Sequence, residues 1–277
     1  VDFDENHLIV DGNHIPVTAE KDPSILPWKE LEVEVVLECT GFFTDEEGAR
    51  KHLEAGARRV IMSAPPKGNG IPTYMIGVNE HTYDGAPVIS NASCTTNCIA
   101  TVADILHREV GIVKSLMTTV HSYTADQNLQ DGPHKDLRRA RAAAENIVPT
   151  STGAAVSVTE IITDLRERFD GVSYRVPTPV GSIAEVNALL HRKVTVEELN
   201  NIFIQASKDP KRSHVLEVAS SPLVSSDIVG NPHSAIFDPE LTQVVDGDLV
   251  RVVAWYDNEW GYSNRLVEMI GVVAKTL

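Results

Sequence analysis

Pro87-Val-Ile-Ser-Asn-Ala-Ser-Cys-Thr-Thr-Asn-Cys-Ile-Ala-Thr-Val102 carries a short apolar run through a polar turn into a helical spacing. Val88 and Ile89 read as a buried strand. Ile99, Val102, Ala103, Leu106 and Val110 recur at three- and four-residue intervals, the pattern of a helix face turned to a core. Ser90, Asn91 and Ser93 suit the helix entry. The strand-to-helix junction therefore falls at Cys94, where unpaired backbone N–H groups and the positive end of the helix dipole favour a thiolate. Buried cysteines also serve as small hydrophobes, so position alone does not make Cys94 a nucleophile.

Upstream, Val35-Val-Leu-Glu-Cys-Thr-Gly41 reads as a strand ending in a turn, followed by a helix from about Asp45 to Ala57 and a second strand at Arg59-Val-Ile-Met-Ser63. Tyr74 to Asn79 and Pro87 to Ser90 read as two further short strands. Strand, helix, strand predicts a parallel sheet. The opening residues 1–17 place turn residues between apolar runs, as a β-hairpin does. Downstream, alternation at Gly111–Tyr123, Gly171–Pro177, Ser182–Lys193 and Asp248–Tyr256 predicts a largely antiparallel sheet, with helices over Gly153–Phe169 and Val196–Asp209 covering one face. The final stretch, Glu259–Leu277, reads as a helix.

The bulk numbers narrow the function. With 24 basic and 39 acidic residues the net charge is −15, which argues against nucleic acid and requires any anionic substrate to meet a local arginine cluster. The apolar runs are too short to cross a membrane. Three cysteines make no secreted disulfide framework, and a reducing, cytoplasmic setting fits them. Cys94 and Cys98 lie on one helical face, but no nearby motif completes a four-ligand set, so no metal is expected.

A second segment, Leu116-Met-Thr-Thr-Val-His-Ser-Tyr-Thr-Ala-Asp-Gln127, runs as a strand into a polar loop and offers His121 as a base for the thiol. Ser-Cys-Thr-Thr-Asn-Cys and Thr-Thr-Val-His-Ser-Tyr-Thr together resemble the glyceraldehyde-3-phosphate dehydrogenase family. The resemblance runs on through Pro133–Ala144, Pro149–Ala155, Arg175-Val-Pro-Thr-Pro179, Asp238-Pro-Glu-Leu241 and Trp255-Tyr-Asp-Asn-Glu-Trp-Gly-Tyr-Ser-Asn-Arg265.

The resemblance implies an α/β Rossmann-type nucleotide-binding domain over residues 1–93, an α+β catalytic domain over 94–258 and a C-terminal helix over 259–277 that returns to the nucleotide domain. The Rossmann unit is expected to be N-terminally incomplete: no Gly-x-Gly-x-x-Gly turn is present, and roughly fifty residues, the scale of one βαβ unit, would precede Val1 in an intact member. Cofactor binding by these residues alone is accordingly expected to be weak. The arginine-rich run 122–146 corresponds to the family's S-loop, and intact members are expected to be homotetramers.

The family chemistry assigns Cys94 as nucleophile and His121 as its base. Thr124, Asp126 and Arg175 match positions lining the site for the substrate's C3 phosphate; Ser93, Thr95, Arg139, Thr152 and Gly153 match the site for inorganic phosphate. Lys21, Thr40, Gly41, Ser63, Asn258 and Tyr262 match cofactor contacts. The reaction implied is NAD-dependent oxidative phosphorylation of D-glyceraldehyde 3-phosphate to 1,3-bisphosphoglycerate. Erythrose-4-phosphate dehydrogenase, or an inactive chain that only folds and associates, are the alternatives. Gly132-Pro133 stands where many NAD-specific relatives carry Leu-Pro, which leaves NADP open beside NAD.

Overall fold

The structure, a computed structural model, describes residues 1–277 and contains three sheets. The first is a small antiparallel sheet of β1 (Asp2–Phe3), β2 (His7–Val10) and β3 (Asn13–Pro16). Asp11 and Gly12 join β2 to β3 with φ of 50° and 81°, the left-handed pair that a two-residue hairpin turn needs.

The second sheet is parallel, in the order β4 (Val35–Glu38), β5 (Arg59–Met62), β6 (Val88–Ser90). Helix α1 (Glu46–Glu54) crosses from β4 to β5, and Asp45 caps it by accepting the Gly48 N–H at 2.7 Å. Tyr74–Asn79, expected as a strand, is not one. Its apolar side chains are buried, but the Met75 carbonyl accepts the N–H groups of Val78, Asn79 and Glu80, and the Asn79 side chain binds the backbone on both sides, so the chain coils into turns. Only Thr73 bridges to Ser90.

From β6 the chain enters α2 (Cys94–Glu109), which packs between the third sheet and other helices and is buried over most of its length. That sheet has eight strands. In chain order they are β7 (Ile112–Ser122), β8 (Val148–Thr150), β9 (Phe169–Val176), β10 (Ser182–Leu190), β11 (Leu216–Val218), β12 (Ala235–Phe237), β13 (Gln243–Val245) and β14 (Leu249–Tyr256). Most pairs are antiparallel, but β7 pairs β9 and β11 pairs β12 in parallel. The three-residue strands β8, β11, β12 and β13 are too short to show alternation, and sequence reading passes over them.

Helices α3 (Ala154–Ile161) and α4 (Val196–Ala206) join α2 on one face. The expected helix over Gly153–Phe169 is cut to eight residues. Ile162 leaves the helical region at φ −106° and ψ 81°, and a short 3-10 turn over Thr163–Leu165 leads to β9. Helix α5 (Trp260–Ala274) packs Leu266, Met269 and Val273 against Ile61, Tyr74 and Ile89 of the parallel-sheet unit. No helix is long and apolar enough to cross a membrane.

Candidate active site

Alternation along β7 turns Ser115, Met117, Thr119 and His121 toward the helices, while Leu116 and Val120 face outward. His121 therefore lies in the last pair of strand residues, in contact with the start of α2. Cys94 Sγ lies 3.4 Å from His121 Nε2. On the parallel neighbour β9, Arg175 is in register with His121, so the two side chains emerge side by side.

The approach to Cys94 is held rigidly. Ala92 takes φ of 55°, a left-handed value costly for a residue with a Cβ, and its carbonyl accepts the Tyr262 hydroxyl at 3.1 Å. The Asn97 side chain donates to the carbonyls of Asn91 and Ser93 at 3.1 and 3.0 Å. Ser93 is the N-cap, accepting from Thr96 N at 3.2 Å.

A cleft of about 220 Å³ brings together Ser93, Cys94, Thr95, His121, Thr124, Asp126, Arg139, Thr152, Gly153 and Arg175, every residue singled out for catalysis or phosphate binding. Their spans of origin are α2, β7, the 122–146 loop, the start of α3 and β9. Larger grooves on the sheet's outer face contain neither cysteine nor histidine, so size alone does not select this cleft.

The cleft has a cationic floor. Arg139 donates to Thr150 Oγ1 from Nε at 2.8 Å and pairs with Asp126, whose carboxylate also accepts the Thr124 hydroxyl. Burial works to raise the Asp126 carboxyl, but the Thr124 hydroxyl, Arg139 and Arg175 together hold it below the usual range. Asp126 thus positions Arg139 and Thr124 and cannot itself bind an anion. Arg175 Nε is buried without a partner, an orphan donor that an anion would satisfy. The Thr152 hydroxyl accepts Ala154 N at 3.1 Å at the start of α3, and Thr95 Oγ1 meets the Tyr256 hydroxyl at 2.9 Å.

His121 Nδ1 lies 2.7 Å from the Ser122 carbonyl and 2.7 Å from Arg175 Nη1. The carbonyl only accepts and the guanidinium only donates, so one Nδ1 cannot satisfy both. A proton on Nδ1 serves Ser122 and leaves Nε2 free to take the thiol proton; an Nδ1 lone pair serves Arg175 and puts the proton on Nε2. Burial, and then the Arg175 charge, lower the His121 pKa to about 4. Burial pushes the Cys94 thiol up, against the Thr95 hydrogen bond and Arg175 charge. Burial thus opposes what the helix start offers, and the pair leans toward thiol and neutral imidazole.

The cofactor candidates are more dispersed. Thr40 and Gly41 follow β4 and Ser63 follows β5, at the carboxyl ends of the parallel strands where such sheets hold nucleotides. Asn258 is buried, and its Oδ1 accepts from Ser122 Oγ, Gly181 N and Ser182 Oγ at 2.9, 3.1 and 3.1 Å, leaving its amide Nδ2 without a protein partner. A fixed amide donor beside Ser122 fits a nicotinamide carboxamide. The start of α1 does not fit a pyrophosphate, since Asp45, Glu46 and Glu47 already occupy it with negative charge. Tyr262 spends its hydroxyl on Ala92, and Lys21 is exposed outside the cleft. Sequence reading missed Thr150, which anchors Arg139, and Tyr256, whose ring stands edge-on to His121 at 5.9 Å. Tyr256 ends an alternating strand, but nothing local marks its partner.

A thiol in contact with an imidazole, two arginines and a nucleotide-type parallel sheet are the parts of a thiol-dependent enzyme for an anionic substrate. The family models described as glyceraldehyde 3-phosphate dehydrogenase, C-terminal domain, and glyceraldehyde 3-phosphate dehydrogenase, NAD binding domain, match residues 93–258 and 1–46. Proteins named glyceraldehyde-3-phosphate dehydrogenase from Mycobacterium leprae (strain TN) and Mycobacterium tuberculosis (strain ATCC 25618 / H37Rv) are 51% and 53% identical, each over 99% of this chain and 80% of their own length. One from Kitasatospora aureofaciens is 52% identical over 99% of the chain and 82% of its own. The chain belongs to the glyceraldehyde-3-phosphate dehydrogenase family. It is an NAD-dependent oxidoreductase of glycolysis.

Proposed function

We propose that the cleft carries out phosphorylating oxidation through an acyl-enzyme on Cys94, with two separate anion subsites. The observation that carries this reading is the 3.4 Å Cys94–His121 contact in a cleft floored by Arg139 and Arg175. Bound NAD supplies the hydride acceptor, and Asn258 Nδ2 is the group that would orient its carboxamide.

In the resting state Arg175 competes with Ser122 for His121 Nδ1. A C3 phosphate held by Arg175 and Thr124 draws the guanidinium away, so Nδ1–H turns to the Ser122 carbonyl and Nε2 accepts the thiol proton. The Cys94 sulfur then attacks the aldehyde carbon, and the thiohemiacetal oxygen gathers N–H donors at the start of α2. His121 returns that proton to the thiohemiacetal oxygen and takes it back as hydride departs, which leaves a thioester on Cys94. Inorganic phosphate on Arg139, Thr152, Gly153, Ser93 and Thr95 attacks the thioester carbon and releases the acyl phosphate and the thiolate.

The proposed division is a nucleotide domain of residues 1–93, a catalytic domain of 94–258 and a returning helix of 259–277. We infer a homotetramer, supported by exposed Leu116 and Val120 on the sheet's uncovered face. The three free cysteines support a cytoplasmic setting.

Steady-state kinetics with aldehyde and phosphate varied independently test the subsites. Each arginine gives a charge-assisted contact worth about 1.5–3 kcal/mol, so Arg175→Leu should raise KM for the aldehyde roughly 10- to 100-fold and Arg139→Leu should do so for inorganic phosphate. Equal effects of both variants on both substrates would merge the two subsites into one.

A further inference from the structure

The N-terminal sheet stands without a packing partner. Residues 1–20 are exposed apart from half-buried His7, Ile9 and Val10, and none of them joins a hydrophobic cluster. Phe3, Leu8 and Ile15 stand in register on one face, all exposed, and three short strands with their apolar face unpacked are marginal by themselves. A tie on the opposite face would hold β1, β2 and β3 together.

The strand register supplies candidates. His7 and Ile9 share one face of β2, and His14 on β3 lies opposite Ile9, so both imidazoles project from the same side. Asp4, in the turn between β1 and β2, faces them. Its Oδ1 accepts Asn6 N and His7 N at 2.9 and 2.8 Å, which fixes the carboxylate in place. His7 Nδ1 lies 3.0 Å from Asp4 Oδ1, and His14 Nδ1 lies 3.5 Å from Asp4 Oδ2. The rings meet edge-on at 5.5 Å, and the three donor atoms lie within 4.8 Å of one another.

We propose that Asp4, His7 and His14 form a binding site for a divalent transition-metal ion, which clips the β1–β2 turn, β2 and β3 together. Atoms bound to a tetrahedral zinc ion at ~2.0–2.1 Å sit about 3.3 Å apart; the imidazole nitrogens stand 3.0 and 3.5 Å from the two Asp4 oxygens, and one donor atom from each residue lies within 4.8 Å of the others. The two imidazoles need only a small rotation in open solvent to close on a shared ion. Two imidazole nitrogens and one carboxylate select zinc, nickel or copper over magnesium or calcium, which prefer all-oxygen shells. Water completes the fourth position on the solvent side. The backbone N–H of Asn6, with the His7 ring behind it, keeps the Asp4 carboxyl below its usual range and so charged. A net charge of −15 favours cation uptake over the whole surface.

Hydrogen exchange of the full chain with and without Zn2+ reads the sheet directly, so zinc taken elsewhere, at Cys94 for example, leaves this readout unaffected. Amides of residues 7–17 should exchange roughly tenfold more slowly at zinc ten times its dissociation constant, and a chelator should reverse the protection. His7→Asn and His14→Asn place an amide nitrogen near the former Nδ1, preserving a hydrogen bond to Asp4 while removing the ligand. Both should lose the zinc effect yet match the parent without zinc. Absence of protection at saturating zinc, or equal protection in the two variants, overturns the site and leaves a hydrogen-bonded triad.

Discussion

Cys94 is a half-buried thiol, and its proposed role as nucleophile rests on the company it keeps at the start of α2. His121 at 3.4 Å can take its proton, and the Arg175 charge favours the sulfur anion. Cys98 is fully buried one turn further on, with its thiol pushed far up by burial. Cys39 is exposed but lies outside the cleft and its two arginines. These arginines should draw an anionic reagent to Cys94: its rate with iodoacetate relative to iodoacetamide should exceed the same ratio at Cys39 by roughly tenfold, and added sulfate should erase the excess. Peptide mapping of each alkylated thiol measures both ratios. A common ratio would remove the arginines from the thiol's surroundings. At this scale the sequence was informative about identity and silent about charge. Cys94 and His121 are marked by their motifs, but their pKa directions depend on burial that no local pattern records.

The strands β7 and β9 carry His121 and Arg175 side by side, so their spacing governs the cleft. Gly171 on β9 pairs with Met117 on β7, and a Cβ there would lie 2.5 Å from the Met117 carbonyl oxygen. Backbone cannot yield as a side chain can, so Gly171→Ala should cost about 1–3 kcal/mol and disturb the Arg175–His121 contact. Gly271 on α5 offers the opposite case. Nothing stands within 4 Å of its added Cβ, and Gly271→Ala should stabilise the helix by roughly 0.5–1 kcal/mol. Denaturant titration of the two variants gives both signs; a neutral Gly171→Ala would mean that the strands separate freely. The long elements β7, β10, β14 and α2 were readable because their periodicity is sustained. Tyr74–Asn79 was not, since a short apolar run looks alike in a strand and in a buried coil, and its carbonyl and asparagine bonds settled the matter.

Acid stability belongs to the whole molecule, because only the assembled core keeps His121 neutral. Its pKa is about 4 when folded, against 6.5 for the free side chain. Between these values the unfolded chain binds the proton and the folded one does not, so stability present above pH 6.5 drains away as pH falls toward 4. The loss assigned to this one group is roughly 3 kcal/mol. His121→Asn should show a shallower decline over that window in denaturant midpoints at successive pH values. Parallel curves for the two proteins would show that His121 takes up its proton without unfolding.

The sequence by itself determined the family and the two kinds of sheet, and it nominated the residues that meet in one cleft, because each rests on a motif or a sustained period along the chain. Tertiary structure alone decided that Asp126 positions Arg139, that Tyr262 holds the Ala92 carbonyl, that Arg175 and Ser122 compete for one imidazole nitrogen, and that Asp4, His7 and His14 meet from a turn and two strands. These are relations between residues distant in sequence or turned by register. Hydrogen-bond distance and burial appear only once the backbone has closed, so no pattern read along the chain contains them.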